Sequence, residues 1–285
     1  MADLREIPCS VENVRGDAVD CDVRFVEDGG PDRPVVVFFH GFKGFKDWGP
    51  FPEWGRRLAT SGFVSIHMNA SYNGVHRDQP RAFTELDKFA ENTFTRELDD
   101  LRAVLDAVEN ETLPDAPIDP DRIGLLGHSR GGGTVILQTE RDDRVGALVT
   151  WSSVSTFVDR FTDDQIDDWE TQGYTEIQNS RTGQTMRLNK TLFDDTMAHA
   201  DELDVPGAAE RIDVPWLVVH ARDDASVDFG AAQTLAGATD TATLMEAEGG
   251  HTFGGAHPFD GPVPDSLKTV WNGTVNFFHT HLRDR

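Results

Sequence analysis

Cysteine is nearly absent from this 285-residue chain: only Cys9 and Cys21 occur, both near the amino terminus. Two thiols build neither a disulfide framework nor a metal cage. Two free thiols are the expected state, although a bond across an early hairpin is within reach. No run approaches the roughly 18 apolar residues of a membrane-spanning helix. The opening Met1-Ala2-Asp3-Leu4-Arg5-Glu6 lacks the basic and apolar regions of a signal peptide, so a cytoplasmic location is expected. Lysine is scarce as well, at 5 against 21 arginines, and positive charge is outnumbered: 50 Asp plus Glu against 26 Lys plus Arg leave a formal net charge of −24. Such a chain repels nucleic acid and anionic membranes, which excludes both as partners. With Asp outnumbering Glu 34 to 16, the surface reads as an adaptation to high salt, where self-repulsion is screened and short hydrated carboxylates keep the protein soluble. Metal-ligand spacings, phosphate-cradling loops and nicotinamide fingerprints are missing too, so neither metal nor cofactor is expected. The oligomeric state is left open, a homodimer included.

What is present is a rhythm of buried strands and helices. Residues 5–28 alternate apolar and polar side chains around Gly16-Asp17, which predicts an antiparallel hairpin at a sheet edge. Pro34 to Phe39 is an unbroken apolar run, and it, Phe63 to Met68, Val145 to Trp151 and Trp216 to His220 are read as strands covered on both faces. Helices are predicted at about 51–61, 92–110, 228–237 and 265–282; in the second, Phe94, Leu98, Leu101, Leu105 and Val108 form one apolar stripe. A last sheet strand is placed at 242–247. The alternation predicts an α/β fold with a mostly parallel, doubly wound sheet. Residues 157–206 break the rhythm and are expected to form an inserted cap of helices plus a small hairpin turning at Asn179 to Gly183; residues 1–156 and 207–285 are the core.

Between two of these strands, Ile123-Gly124-Leu125-Leu126 runs into Gly127-His128-Ser129-Arg130-Gly131. An apolar strand leading into Gly-x-Ser-x-Gly and then a helix is the context of a nucleophile elbow, in which the serine sits on a strained turn and its small neighbours avoid the adjoining strand and helix. A serine hydroxyl needs a base, and the base needs an acid to hold its tautomer. On an open sheet these groups belong at the carboxyl ends of strands. Glu248-Gly249-Gly250-His251 follows the last strand and supplies His251 as the base; Asp223 and Asp224, just past the strand ending at His220, are the acid candidates. Oxyanion donors are expected from the main-chain N–H of Arg130 and of Phe42, the latter in His40-Gly41-Phe42-Lys43-Gly44 after the first central strand. His40 is expected to shape that loop by hydrogen bonding and is carried as a substrate-side candidate. In the cap, Phe157, Phe161, Trp169 and Tyr174 are candidate walls of a substrate pocket, although core packing explains them equally well.

These four motifs, in this order, resemble the α/β-hydrolase superfamily over about residues 34–282. The resemblance implies a sheet of about eight strands. It also selects Asp224 over Asp223, because in that family the acid commonly stands four residues after the residue that ends its strand. His-Gly-Phe-Lys-Gly together with His-Thr-Phe-Gly-Gly resembles the branch of dienelactone-hydrolase-like and cinnamoyl or feruloyl esterases, which also carry a small insertion before the acid strand. Dienelactone hydrolases proper use cysteine where this chain has Ser129. The implied activity is that of a serine carboxylic-ester hydrolase acting on cinnamoyl, feruloyl or short acyl esters. An acyl-CoA thioesterase or a serine peptidase of the same fold are the alternatives, the peptidase disfavoured because such enzymes usually bring a large gating domain.

Overall fold

A computed structural model describes residues 3–282. Strands β1 (Leu4–Glu12) and β2 (Ala18–Val26) form the expected antiparallel hairpin, with Gly16 at φ 79° in its turn. Cys9 and Cys21 stand opposite one another in its register as free thiols. The chain then alternates through β3 (Arg33–Phe39), α1 (Phe51–Thr60), β4 (Val64–Met68), α2 (Leu86–Ala90), α3 (Phe94–Glu109), β5 (Ile118–His128), α4 (Arg130–Glu140) and β6 (Val145–Trp151). After β6 come α5 (Asp163–Gln172), β7 (Tyr174–Gln178), β8 (Thr185–Asn189), α6 (Lys190–Ala198) and α7 (Val205–Arg211). The alternation resumes with β9 (Trp216–Ala221), α8 (Phe229–Ala236), β10 (Ala242–Ala247) and α9 (Asp265–His281).

Eight strands make one sheet in the order β1-β2-β4-β3-β5-β6-β9-β10. Only β1–β2 and β2–β4 pair antiparallel; the others are parallel. Parallel strands are buried on both faces because the crossover helices cover them, and Val35 to Phe39 accordingly have no exposed surface. The sheet is packed on one side by a cluster of tilted tryptophans, Trp54–Trp151 at 5.0 Å and Trp54–Trp271 at 5.6 Å between ring centroids. The Trp151 indole also donates to Thr274 Oγ1 at 3.0 Å, which satisfies a buried N–H and ties α9 to β6. α3 begins at Thr93, whose hydroxyl accepts from the Arg96 N–H, and its predicted stripe faces the core.

Two local departures have physical causes. Pro120 lies inside β5: the β3–β5 register jumps from Asp119 to Ile123, so Pro120-Asp121-Arg122 bulge out where no ladder N–H is needed. The polar loop before α3 holds the single-turn helix α2, too short for a periodic signal. Between β6 and β9, the β7–β8 hairpin forms its own two-stranded sheet beside α2, while α7 packs on α4. α5 carries a Thr162/Gln165 capping box and stops at Gly173 in the left-handed conformation.

The crossing of α4 over β3 is tightly packed. A Cβ placed on Gly131 would stand 2.6 Å from the Phe39 carbonyl oxygen, a backbone atom that cannot swing aside. Gly131→Ala is therefore expected to destabilise the fold by about 2 kcal/mol or more, read as a lowered midpoint in denaturant unfolding; an unchanged midpoint would contradict this packing.

Candidate active site

Ser129 links β5 to α4 with φ 56° and ψ −118°, a conformation that a non-glycine residue occupies only when its surroundings impose it. Here they do. The Ser129 N–H donates to the Trp151 carbonyl at 2.8 Å, and its own carbonyl accepts from Gly132 at 2.9 Å and Val154 at 3.2 Å. Gly41 approaches so closely that a Cβ there would lie 2.8 Å from that of Ser129. The hydroxyl makes no hydrogen bond among the described residues and borders two cavities.

The carboxylate facing His251 is Asp224. Its Oδ2 accepts from His251 Nδ1 at 2.8 Å, and its Oδ1 accepts from the N–H groups of Ser226 at 2.8 Å and Val227 at 3.1 Å. His220, buried at the end of β9, places Nε2 at 3.3 Å from Oδ2 and at 3.0 Å from the Val227 carbonyl. Burial of the side chain would raise the Asp224 pKa, but the hydrogen bonds from His220, His251 and Val227 overcome it and hold the carboxyl well below the ordinary range. Asp223 has a different job: exposed, it accepts from the Gly250 N–H at 3.0 Å and so steadies the turn that carries His251. That turn needs its glycine pair. Gly249 and Gly250 have φ of 92° and 66°, and a Cβ on Gly249 would meet the Phe253 carbonyl carbon at 2.7 Å. His128 donates Nε2–H to the His251 carbonyl at 2.9 Å, holding the same turn from β5; burial, then the neighbouring His251, push its pKa down to about 3. With Nδ1 committed to Asp224, His251 directs Nε2 away from it, and the ring borders the same cavity as Ser129.

The N–H groups of Phe42 and Arg130 find no acceptor among the described residues, the latter because the first N–H of a helix has no intrahelical partner. Sequence reasoning missed what becomes of the Arg130 side chain. It forms a buried pair with Glu97 of α3, Nη2 to Oε1 at 2.7 Å and Nε to Oε2 at 3.1 Å, with its guanidinium 4.4 Å from the centroid of Phe94. The charge is thereby spent on anchoring the elbow. Glu97 falls beside the apolar stripe of α3, three residues after Phe94, and a buried carboxylate at that spacing was the available signal.

His40 requires a correction as a substrate-side candidate. Its ring is buried, donates Nδ1–H to the Gly41 carbonyl at 2.9 Å and accepts at Nε2 from the Ala70 N–H at 3.1 Å, so it shapes the loop and borders neither cavity. Burial pushes its pKa down to about 4. Trp169 and Tyr174 also leave the candidate wall. Trp169 is buried among Phe161 and Phe193 with its indole N–H on the Leu188 carbonyl at 2.8 Å, and Tyr174 packs under Arg187. Phe157 and Phe161 stay, joined by Phe94, Leu188 and Leu192 around an apolar cavity of about 230 Å³. The second cavity, about 370 Å³, is the more polar of the two and runs past His251, Thr252 and Ser226 to Arg160 and Arg181.

The model of the prolyl oligopeptidase family matches residues 81–256, which include Ser129, Asp224 and His251. The chain belongs to the prolyl oligopeptidase family. It is 30% identical over 140 residues to the putative esterase YitV of Bacillus subtilis, covering 49% of this chain and 52% of that one. It is 31% identical over 121 residues to the uncharacterised protein YcjY of Escherichia coli, covering 42% and 35%. The chain thus spans about half or less of the curated relatives it matches. Among solved structures it is similar to Est1E from Butyrivibrio proteoclasticus, with a TM-score of 0.68 at 16% identity over 96% of this chain and 98% of that one. A dienelactone hydrolase from Klebsiella pneumoniae, named as putative, gives 0.64 at 15% identity over 97% and 99%. The fold is that of the α/β-hydrolases.

Asp224 is held ionised and His40 and His128 are held neutral, so none of the three should contribute an ionisation to kcat/KM between about pH 5 and 8. An ionisation in that range that disappears in His40→Gln or His128→Gln would contradict this.

Proposed function

We propose that the chain is a serine carboxylic-ester hydrolase. The observation that carries this reading is the buried Asp224 carboxylate on His251 Nδ1, which leaves the other ring nitrogen for the hydroxyl of a conformationally strained serine. His251 takes the Ser129 proton as the oxygen attacks the ester carbonyl. The oxyanion settles against the N–H groups of Phe42 and Arg130, and the imidazolium is stabilised by Asp224. His251 then gives its proton to the departing alcohol. Water repeats the sequence on the acyl-enzyme, releasing the acid and restoring Ser129.

The two cavities divide the substrate. His251 protonates the leaving group and borders only the polar cavity, so the alcohol belongs there and the acyl chain in the apolar one. Phe94 and Phe157 stack with centroids 4.0 Å apart at the apolar wall, which suits a flat aromatic acyl group of the cinnamoyl or feruloyl kind. Residues 157–206 act as a cap, contributing Phe157, Phe161, Leu188 and Leu192 to that wall. Est1E has been solved with ferulic acid bound and is similar to this chain at a TM-score of 0.70 and 17% identity over 96% of this chain and 98% of that one. Peptide cleavage is the second reading, on the family match. Neither cavity is lined by an Asp or Glu that would pair with a peptide ammonium, which favours the ester.

Hydrolysis of p-nitrophenyl acetate to octanoate, methyl ferulate and methyl p-coumarate, beside dipeptide anilides, tests the proposal. Ester turnover with preference for the aromatic acids is expected, and Ser129→Ala should abolish it at an unchanged unfolding midpoint. Turnover retained by that variant, or anilides as the only substrates, would overturn it.

A further inference from the structure

The interior of the site has the opposite charge character to the rest of the molecule. About one residue in six is Asp or Glu and the net charge is −24, yet no Asp or Glu lines the polar cavity. Lys43, Arg160 and Arg181 line it instead, Arg160 at the border it shares with the apolar cavity. Most described arginines and lysines stand within 4.0 Å of a carboxylate, as Arg24, Lys46, Arg96 and Arg144 do. These three have none. Arg181 donates to the Lys43 carbonyl at 2.6 Å and Lys43 Nζ to the Gln178 carbonyl at 3.3 Å, which latches the β7–β8 hairpin to the oxyanion loop but neutralises neither charge. Desolvation lowers the pKa of all three, and neighbouring cations lower it further, Arg181 for Lys43 and Arg130 for Arg160. Gathering like charges costs free energy; the carbonyl hydrogen bonds and the rings of Phe42 and Trp48 offset part of it, but no carboxylate among the described residues does. The arrangement is complementary to an anion that enters from outside, and it supplies a local attraction against the repulsive field of the acidic surface.

We propose that the cavity on the His251 side is an anion subsite that receives a carboxylate or phosphate carried by the leaving alcohol of the substrate. The assignment of that cavity to the alcohol rests on the ester-hydrolase reading; the presence of an anion site does not. Arg160 reaches the cavity from the segment after β6 and Arg181 from the turn of the β7–β8 hairpin, so the cap discriminates the alcohol as well as walling the acyl group. The subsite works by positioning: it draws the leaving oxygen toward His251 Nε2 without taking part in proton transfer.

Three esters of one acid separate charge from shape: 3-butyryloxybenzoate, its neutral carboxamide counterpart, and 3-butyryloxyphenyl phosphate, compared by kcat/KM at constant ionic strength. At least one charged ester should be preferred over the carboxamide by about tenfold, chiefly in KM, and the better of the two identifies the anion. The preference should collapse toward unity in the Arg160→Gln/Arg181→Gln double variant and persist in Arg181→Lys, which keeps the charge. A second measurement needs no turnover: benzoate and benzamide binding to the Ser129→Ala protein, read by tryptophan fluorescence, since Trp48 lines the cavity 5.3 Å from the Arg181 guanidinium. Benzoate should bind more tightly, and the double Gln substitution should remove the difference. Equal handling of charged and neutral esters by the unmodified protein, or a preference that survives the double substitution, would overturn the subsite. Benzoate binding without turnover of any ester would sustain the subsite and overturn the hydrolase reading instead.

Discussion

The site depends on one buried charge. Asp224 has no solvent-exposed side-chain surface, so its ionised form rests on the hydrogens that His251 and the N–H groups of Ser226 and Val227 point at it, with His220 Nε2 close by at 3.3 Å. Removing any one of them would leave a carboxylate short of partners inside the protein. The network also joins three strands. His220 belongs to β9, His251 follows β10, and His128 at the end of β5 grips the His251 carbonyl. The reactive geometry is therefore inherited from the sheet, whose parallel strands bring these ends to one edge. The strain at Ser129 is tolerated for the same reason, because main-chain hydrogen bonds from Trp151, Gly132 and Val154 over-determine its turn.

A division of electrostatic labour runs through the molecule. Arg130 follows the serine directly, and its positive charge would stand free beside that turn without a partner. Glu97 pairs with it and holds it against Phe94. The cations without a carboxylate partner sit on the loop of residues 40–44 and on the insertion between β6 and β9. A cavity free of carboxylates inside a chain of net charge −24 gives ligands a gradient of potential that the composition alone would never suggest.

The parts of the fold and site that are legible in the sequence share a cause: each rests on a local pattern. Mostly apolar runs mark β3, β6 and β9 because a strand covered on both faces has no polar period. Gly-His-Ser-Arg-Gly after such a run marks the elbow because few other turns require those glycines. His251 stood out by its place after the last strand. Asp223 and Asp224 could not be separated by spacing alone, since both lie in one loop and their roles diverge only in which atom each faces; the family resemblance selected Asp224, and the hydrogen bond to His251 agrees with it. The aromatic residues of the insertion show the limit. Phe161 lines the apolar cavity while Trp169 packs against it from behind, and only the three-dimensional arrangement of α5 against α6 decides which ring meets ligand. Arg160 and Arg181 carried no signal, because what matters about them is the carboxylate that is not nearby.

The most direct test of the central claim is reaction with a fluorophosphonate probe followed by mass spectrometry of the adduct. A Ser129 hydroxyl activated through His251 and Asp224 should capture the probe in a one-to-one adduct on Ser129. Asp224→Asn should slow capture by about a thousandfold or more, since it removes the charge that holds His251 in its working tautomer. A label elsewhere on the chain, or capture by Asp224→Asn as fast as by the unmodified protein, would contradict the account.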